Sequence, residues 1–553
     1  MENLSYVKYQ PEWGVRNIPD IPECNISELC VSEPAKKYPE KTAIISFDRK
    51  FSYGEFDELS NRVANALIER GIQKGDRVAT FLPNIFQHFI AFYGITKAGA
   101  ISVPCNVMYK GEELLYQLND SGCKAIIAMD VLYPTIASIK GRCALEHIFL
   151  TNVRDYASPG AKVPSLYDKE RAEAPPGTLD FIKVIEGASP GIPKVDIDPM
   201  EDLAMILYTS GTTGVPKGAM LTHYNYCSAG TLLPNAYGMN EKDVHILLFP
   251  MFHVAGYCFH MQALSFGATV IPIAMFDPKE MLEIIEKYKA TVIFAPPTAF
   301  IGMTNHPDIK KYDLNSLRIA TGCGAPVPPE IQKNWEGIVG TPLVNGYGCT
   351  ETSGTAPGIA VVPGKPGPRE SLGTTICEAK IVDKEGKIVP RGTIGEVAHR
   401  GPGIAKGYWN KPEETKAQFT EDGWWLSGDA AYMDEDGNIF FQYRIKDLVI
   451  SSGYNVSPVD VENVIYKHEA VKEVCAYGIP DSYRGESIKV LITLKDEYKG
   501  KVTEQEIINW CKGEMAAFKV PKVIEFGEIP KTASGKALRY MLRDRDKEKY
   551  SKA

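Results

Sequence analysis

Phe56, Leu59, Val63 and Leu67 recur at spacings of three and four, the period of one apolar helix face. Ser52-Tyr53-Gly54-Glu55 lies just ahead as a capping box and Gly71 just behind as a stop, so an amphipathic helix is predicted between them. Apolar runs then alternate with helical patterns. Strands are predicted at 78–82, 101–104 and 124–128, and helices at 86–97 and 112–118. A weakly patterned Pro/Gly-rich stretch, 174–199, interrupts the series. Strand signals resume at 203–208, 245–249, 268–273, 291–294 and 317–320, with an amphipathic helix at 277–289. Strand–helix alternation of this kind predicts a parallel sheet covered on both faces.

From about residue 364 glycine turns and short strands dominate, as in Gly392-Thr393-Ile394-Gly395-Glu396-Val397, which predicts a smaller β-rich subdomain. After about Arg444 the alternation returns, with a helix at 459–466, strands at 474–477 and 488–494, and a second capping box at Thr503 and Glu506. The expected fold is α/β: a large N-terminal region of stacked α/β subdomains with a β-rich subdomain, residues 1–443, and a small mobile C-terminal α+β domain, residues 444–553, of normal domain size. No internal repeat and no low-complexity segment is present.

Composition narrows the function classes. The 553 residues are 44% hydrophobic and 24% charged, an ordinary globular balance, and 61 basic against 69 acidic side chains leave a formal charge of −8. That balance gives no electrostatic footprint for nucleic acid or an anionic membrane. No apolar run approaches the roughly 18–20 residues of a spanning helix. The first thirty residues carry Glu2, Glu12, Asp20 and Glu23 with no apolar stretch, so no secretory signal is expected. The 12 cysteines and nine histidines are scattered without CxxC, HExxH or zinc spacing. Reduced cysteines packed as small apolar groups, and a cytoplasmic location, are expected.

The strongest chemical signal follows the strand at 203–208. Tyr208-Thr209-Ser210-Gly211-Thr212-Thr213-Gly214-Val215-Pro216-Lys217-Gly218 combines hydroxyls, glycines and a lysine. Glycines let backbone N–H groups approach phosphate oxygens, hydroxyls donate, and the lysine adds charge. The segment fails the Walker pattern: Lys217 follows Pro216, and Gly218 stands where a magnesium-binding Ser or Thr is required.

Four further segments stand in order along the chain. They are Asn345-Gly346-Tyr347-Gly348-Cys349-Thr350-Glu351-Thr352, Trp425-Leu426-Ser427-Gly428-Asp429, Arg444-Ile445-Lys446-Asp447 continuing through Gly453 to Pro458, and Pro530-Lys531-Thr532-Ala533-Ser534-Gly535-Lys536. With 208–218 they resemble, respectively, the adenine/magnesium, ribose, hinge, catalytic-lysine and phosphate-loop motifs of the adenylate-forming superfamily: acyl-CoA synthetases, plant coumarate ligases, firefly luciferase and peptide-synthetase adenylation domains. The resemblance spans nearly the whole chain and is closest to fatty or aromatic acid–CoA ligases. One departure is Tyr443, where the family usually has glycine before the hinge-motif arginine.

The resemblance implies roles. Thr209, Ser210, Gly211, Thr212, Thr213, Gly214 and Lys217 would hold phosphates. Tyr347 would stack on adenine, with Gly324, Ala325 and Pro326 on the other face and Gly348 beside it. Asp429, an acceptor-only carboxylate, suits ribose hydroxyls. Thr350 would donate to the α-phosphate. Glu351, with Thr209, would hold Mg²⁺, which prefers one or two carboxylates plus phosphates and water. Arg444, Lys446, Ser452 and Gly453 would belong to the hinge and the coenzyme A tunnel. Lys536 would stabilise charge at the α-phosphate. His253, in Phe249-Pro250-Met251-Phe252-His253-Val254-Ala255-Gly256, resembles the acyl-site motif. Amino-acid-activating members carry aspartate there, so a histidine with Val254, Gly256, Gly322 and Gly346 fits an acid with an uncharged body.

The implied function is an AMP-forming carboxylic acid–CoA ligase acting on ATP, a medium- or long-chain fatty acid (or an aromatic acid) and CoA, with Mg²⁺. Two alternatives remain at this stage: an acyl-AMP ligase or adenylation enzyme loading a carrier protein, and, from another class, a P-loop phosphotransferase that would release ADP. Neither the exact acid nor the oligomeric state is legible, and a homodimer stays open. Partners from nucleic acid are not expected.

Overall fold

The computed structural model describes residues 20–551 apart from 172, 210–214, 356–360, 363–364, 367, 374–376, 452, 483 and 533–534, together with the short strand Tyr6–Val7. Two seven-stranded sheets form the large region. The first runs Lys217–Thr222, Leu203–Thr209, Ile101–Pro104, Arg77–Phe81, Cys123–Met129, His147–Thr151, Leu179–Asp180. The second runs Leu343–Gly346, Ile319–Cys323, Val292–Ala295, Val244–Leu247, Thr269–Pro272, Thr42–Ser46, Arg49–Ser52. One apolar core joins residues of both sheets to helices Tyr53–Glu69, Phe86–Lys97, His223–Tyr237 and Val254–Leu264. Every residue of Phe86–Lys97 and of Val254–Leu264 is buried, as expected of mostly apolar helices without a polar face; the buried Lys97 is paired with Asp57 at 2.6 Å.

The interior strands are parallel, as the sequence predicts, but each sheet ends in an antiparallel edge: Lys217–Thr222 against Leu203–Thr209, and Arg49–Ser52 against Thr42–Ser46. The second hairpin turns on Phe47 and Asp48, at φ 46° and 62°, the backbone a two-residue hairpin turn needs. The capping box at Ser52 is half realised. Ser52 accepts from the Glu55 N–H at 3.1 Å, while the Glu55 carboxylate pairs with Arg49 at 2.9 Å. The box at Thr503 and Glu506 is complete.

The β-rich part is a five-stranded antiparallel sheet: Tyr6–Val7, Glu378–Val382, Gly395–Arg400, Trp425–Met433, Ile439–Arg444. Beyond it lies another five-stranded sheet built from Val449–Ser451, Tyr454–Val456, Val471–Asp481, Gly485–Leu494 and Val523–Phe526, with its own core against helices Pro458–Ile465 and Glu504–Glu514. The hairpin strands Val471–Asp481 and Gly485–Leu494 outrun the apolar stretches that predict them, because they pair along their whole length. Among the described residues no helix is long and apolar enough to cross a membrane.

Candidate functional site

The strand pair Leu203–Thr209 and Lys217–Thr222 sets Lys217 directly opposite Thr209 at the edge of its sheet. Ser210, Gly211, Thr212, Thr213 and Gly214 lie outside the described residues. Gly218 has a packing reason: a Cβ there would stand 2.5 Å from Ile206 Cγ2 and 3.2 Å from the Tyr208 ring. The position where a Walker loop carries Ser or Thr therefore has no room for a side chain.

Strand Leu343–Gly346 delivers Tyr347, and a single turn of 3₁₀ helix, Thr350–Thr352, presents Glu351. Gly348 permits the fold-back, since a Cβ there would meet the Gly354 carbonyl oxygen at 2.9 Å. The Glu351 Oε1 accepts from the Tyr408 hydroxyl at 2.7 Å. Burial pushes the Glu351 carboxyl up, and the Tyr408 hydrogen bond opposes it, as do Arg444 and Lys217. Among the described residues no group of three His, Cys, Asp or Glu side chains could hold a metal ion on its own. Glu351 with Thr209 offers hard oxygens of the kind that complete a Mg²⁺ shell otherwise made of phosphate and water.

Asp429 and Arg444 are cross-strand partners. Arg444 Nε stands 3.1 Å from Asp429 Oδ1, and the Tyr347 hydroxyl donates to Asp429 Oδ2 at 2.6 Å. Asp429 is 1% exposed, and its charge raises the Arg444 guanidinium above its ordinary range. A carboxylate has about four lone-pair positions, so two remain for hydroxyl donors. The Tyr347 ring packs on the β-rich core and lies 6.0 Å from the His399 ring. Gly324, at φ +84° in the turn Gly324-Ala325-Pro326, is exposed beside Phe249.

Lys536 reaches this cluster from the far end of the chain. Its loop is pinched by the Lys531–Ala537 bridge and by Thr532 Oγ1, which accepts from the Lys536 N–H at 3.1 Å. A Cβ on Gly535 would come within 3.0 Å of Thr298 Oγ1 and 3.3 Å of Pro296 Cγ, so the loop lies against the large region. The Lys536 ammonium is pushed down to about 8, first by the neighbouring Arg444 charge and then by desolvation, with Asp429 opposing. The residue itself remains exposed to solvent.

His253 caps helix Val254–Leu264: its Nδ1 accepts from the Ala255 N–H at 3.2 Å. That leaves the proton of the neutral ring on Nε2. Burial, and then the Lys536 charge, push the imidazole down to about 4, so it is neutral at physiological pH and lies within reach of the lysine's charge. The Phe249 ring stacks beside it at 6.1 Å. Gly346 shares this side of the sheet, since a Cβ there would lie 2.5 Å from Cys323 Sγ and 2.7 Å from Thr321 Cγ2. Val254 packs in the same core. Two expected lining residues point elsewhere. A Cβ on Gly322 would meet Val327 at 2.1 Å, in the core behind the sheet, and one on Gly256 would meet the Pro250 carbonyl oxygen at 2.2 Å. Both glycines serve backbone packing.

The structure thus gathers Lys536, His253, Arg444, Asp429, Tyr347 and Glu351 around one cleft, with Thr209 and Lys217 at the adjoining edge. It does not bring Gly453 there: that residue, at φ +80°, stands at the exposed turn after Val449–Ser451, flanked by Ile450 and Tyr454 at 54% and 55% exposure. Ser452 lies outside the described residues. Lys446 occupies the 3₁₀ turn Ile445–Asp447. Two participants were not singled out from the sequence. Tyr408 gives no local signal, because its contact to Glu351 spans 57 residues. Cys349 Sγ lies 3.5 Å from the Tyr347 hydroxyl, inside a motif read for its neighbours.

Comparison with known proteins identifies the family and the fold. Residues 31–409 match the AMP-binding enzyme family and residues 460–536 its C-terminal domain. A long-chain-fatty-acid–CoA ligase from Bacillus subtilis is 38% identical over 94% of both chains. The crystal structure of the anthranilate CoA ligase AuaEII in complex with anthranoyl-AMP superposes with a TM-score of 0.86 at 29% identity, covering 97% of this chain and 100% of that one. ATP-bound MatB from Rhodopseudomonas palustris superposes at 0.83 and 29% identity, covering 95% and 100%. Motif order, cleft geometry and these matches place the chain in the AMP-binding enzyme family.

Proposed function

We propose that this protein is an AMP-forming ligase that joins a medium- or long-chain fatty acid to coenzyme A. The observation that carries the reading is the arrival of Lys536 beside Arg444, Asp429 and the neutral His253. In the first step an acid carboxylate attacks the α-phosphorus of ATP and pyrophosphate leaves. Lys536 and Thr350 meet the negative charge that builds on the α-phosphate. Asp429 accepts from the ribose hydroxyls, Tyr347 and the turn at 324–326 flank the adenine, and Lys217 meets the outer phosphates. In the second step the CoA thiol attacks the acyl carbon and AMP leaves. Mg²⁺, held by Glu351 and Thr209 together with phosphate oxygens, would neutralise part of the triphosphate charge.

The acyl side supports a fatty acid. His253 bears no charge, Phe249 stacks beside it and Val254 follows it, and Gly346 packs against Cys323 and Thr321; no carboxylate is among these residues to pair with a substrate ammonium. The Bacillus subtilis relative is named for long-chain fatty acids. We assign residues 1–443 and 444–553 as the two moving units. Twelve free cysteines, nine of them buried, fit a reducing cytoplasm. The deciding experiment is pyrophosphate release across acids of graded chain length, with and without CoA. Acid-dependent pyrophosphate with acyl-CoA formed only when CoA is present supports the reading. Acyl-AMP that accumulates and passes only to a carrier protein overturns the acceptor, and ADP as product overturns the chemistry.

Gly346→Ala tests the acyl side. The new methyl must displace Cys323 or Thr321, and overpacking of this kind costs about 1–3 kcal/mol. The KM for a long acid should rise about tenfold, with the KM for ATP nearly unchanged. An altered ATP KM with an unchanged acid profile would refute the placement.

Lys536 also fixes a pH dependence. Its ammonium sits at about 8 because Arg444 and burial disfavour the charged form, so the group is positive below that pH and loses its charge above it. Pyrophosphate release should therefore decline on the alkaline side, at a pH raised by the negative charge of bound ATP. Lys536→Arg keeps a charge throughout. An identical alkaline decline in that variant would assign the titration to another group.

A further inference from the structure

Tyr408 lies in an extended stretch that joins two parts of the cleft. The Met220 N–H donates to the Gly407 carbonyl at 2.9 Å, Trp409 N–H to Gly218 O at 2.7 Å, and Ala405 N–H to Glu351 O at 2.8 Å. This stretch therefore pairs with the strand that leaves the phosphate loop and with the backbone of Glu351 itself. The Tyr408 side chain repeats the connection. Its hydroxyl reaches Glu351 Oε1 at 2.7 Å, and its ring lies under Lys217 Nζ at 5.0 Å from the centroid. The residue is 3% exposed, and Phe419 meets its ring edge-on at 5.6 Å.

A second acceptor, Gln418 Oε1, also stands 2.7 Å from the hydroxyl, which has only one proton to give. With the Gln418 amide turned end for end, its NH₂ donates to the Tyr408 oxygen and the phenolic proton is left for Glu351. One Glu351 oxygen is then fixed by a donor, its remaining lone pairs stay available to a cation, and Lys217 is close enough for its charge to act on the same carboxyl.

We propose that Tyr408 is a positioning residue: its hydroxyl orients the Glu351 carboxylate for a divalent cation while its ring face holds Lys217 for the phosphates. The inference rests on the reading of Glu351 as a Mg²⁺ ligand given above. Hydrogen-bond partners of this kind, one step removed from a metal, typically change metal affinity about 10- to 100-fold when lost.

The test is equilibrium ATP binding by titration calorimetry at graded Mg²⁺, with acid and CoA omitted. Tyr408→Phe keeps the ring over Lys217 and against Phe419 and removes only the hydroxyl. The Mg²⁺ concentration that gives half-maximal ATP binding should rise about tenfold, while ATP affinity without metal stays unchanged. Gln418→Leu, at the rim, should shift it in the same direction by about two- to threefold, and serves if Tyr408→Phe folds poorly. Equal Mg²⁺ dependence in wild type and variants overturns the positioning role. A matching loss of ATP affinity with and without metal overturns it too, as a general packing defect. If ATP binding to the wild type shows no Mg²⁺ dependence at all, the reading of Glu351 falls, and the inference with it.

Discussion

Lys536→Ala should cut acid-dependent pyrophosphate release about 10²- to 10³-fold, the usual cost of removing one donor aimed at developing charge. Conversion of supplied acyl-AMP and CoA to the thioester should survive. The asymmetry follows from where the lysine sits. Its loop rests on Pro296 and Thr298, and its ammonium is felt by Arg444, Asp429 and His253, so its charge meets the junction of nucleotide and acid. That charge matters while pyrophosphate leaves the α-phosphate. In the second step the bond that breaks joins the acyl carbon to AMP, and pyrophosphate has already gone. The two half-reactions are measured separately on folded protein, with melting temperature as the control for integrity. An equal fall in both would give the lysine another task.

Much of this cleft was legible in the sequence, and the part that was not has a common cause. Helix Phe86–Lys97 and strand Ile101–Pro104 fall where apolar runs predict them, because periodicity is a local signal. The motifs at 345–352, 425–429 and 530–536 are contiguous, so their chemistry can be read without knowing the fold. The hairpin at Phe47 and Asp48 was missed because Phe-Asp lacks the Asn-Gly or Asp-Gly pattern that marks such a turn, although both residues take positive φ. Tyr408 gives no local signal because its partners, Lys217 and Glu351, lie far along the chain.

The glycines divide in an instructive way. Gly322 and Gly346 stand on neighbouring strands, paired one residue out of step: Gly322 opposes Asn345, and Cys323 opposes Gly346. Successive strand residues face opposite sides. Gly346 therefore shares a face with Thr321 and Cys323, while Gly322 faces Val327. Composition alone treats both as small residues near a pocket, and only register separates them. His253 teaches a related lesson. It is both the helix cap that a structural reading expects and a neutral ring that feels the Lys536 charge, because the cap uses Nδ1 and leaves Nε2.

Lys446→Pro should leave acyl-AMP formation largely intact and collapse thioester formation, by about two orders of magnitude if the domain movement is required. Arg444 is anchored on one side of the turn, opposite Asp429 at 3.1 Å. Asp447 is anchored on the other, with Arg539 Nη1 at 3.2 Å and Arg543 Nη1 at 3.6 Å. The Lys446 carbonyl also belongs to that second side, since Arg543 donates to it at 3.0 Å. The dihedrals left to turn lie between Arg444 and that carbonyl, which includes φ of Lys446. Hinges are a few such element-terminal residues. Lys446 sits in a 3₁₀ turn, whose φ of about −50 to −70° is close to the −65° that proline imposes. Proline at 446 therefore favours the arrangement with Lys536 in the cleft and opposes the rotation that would carry the exposed Gly453 turn toward it. The clash of proline with a helical Ile445 adds local strain, so melting temperature is followed beside both half-reactions. Wild-type thioester formation with reduced adenylation, or an equal modest loss in both, would remove Lys446 from the hinge.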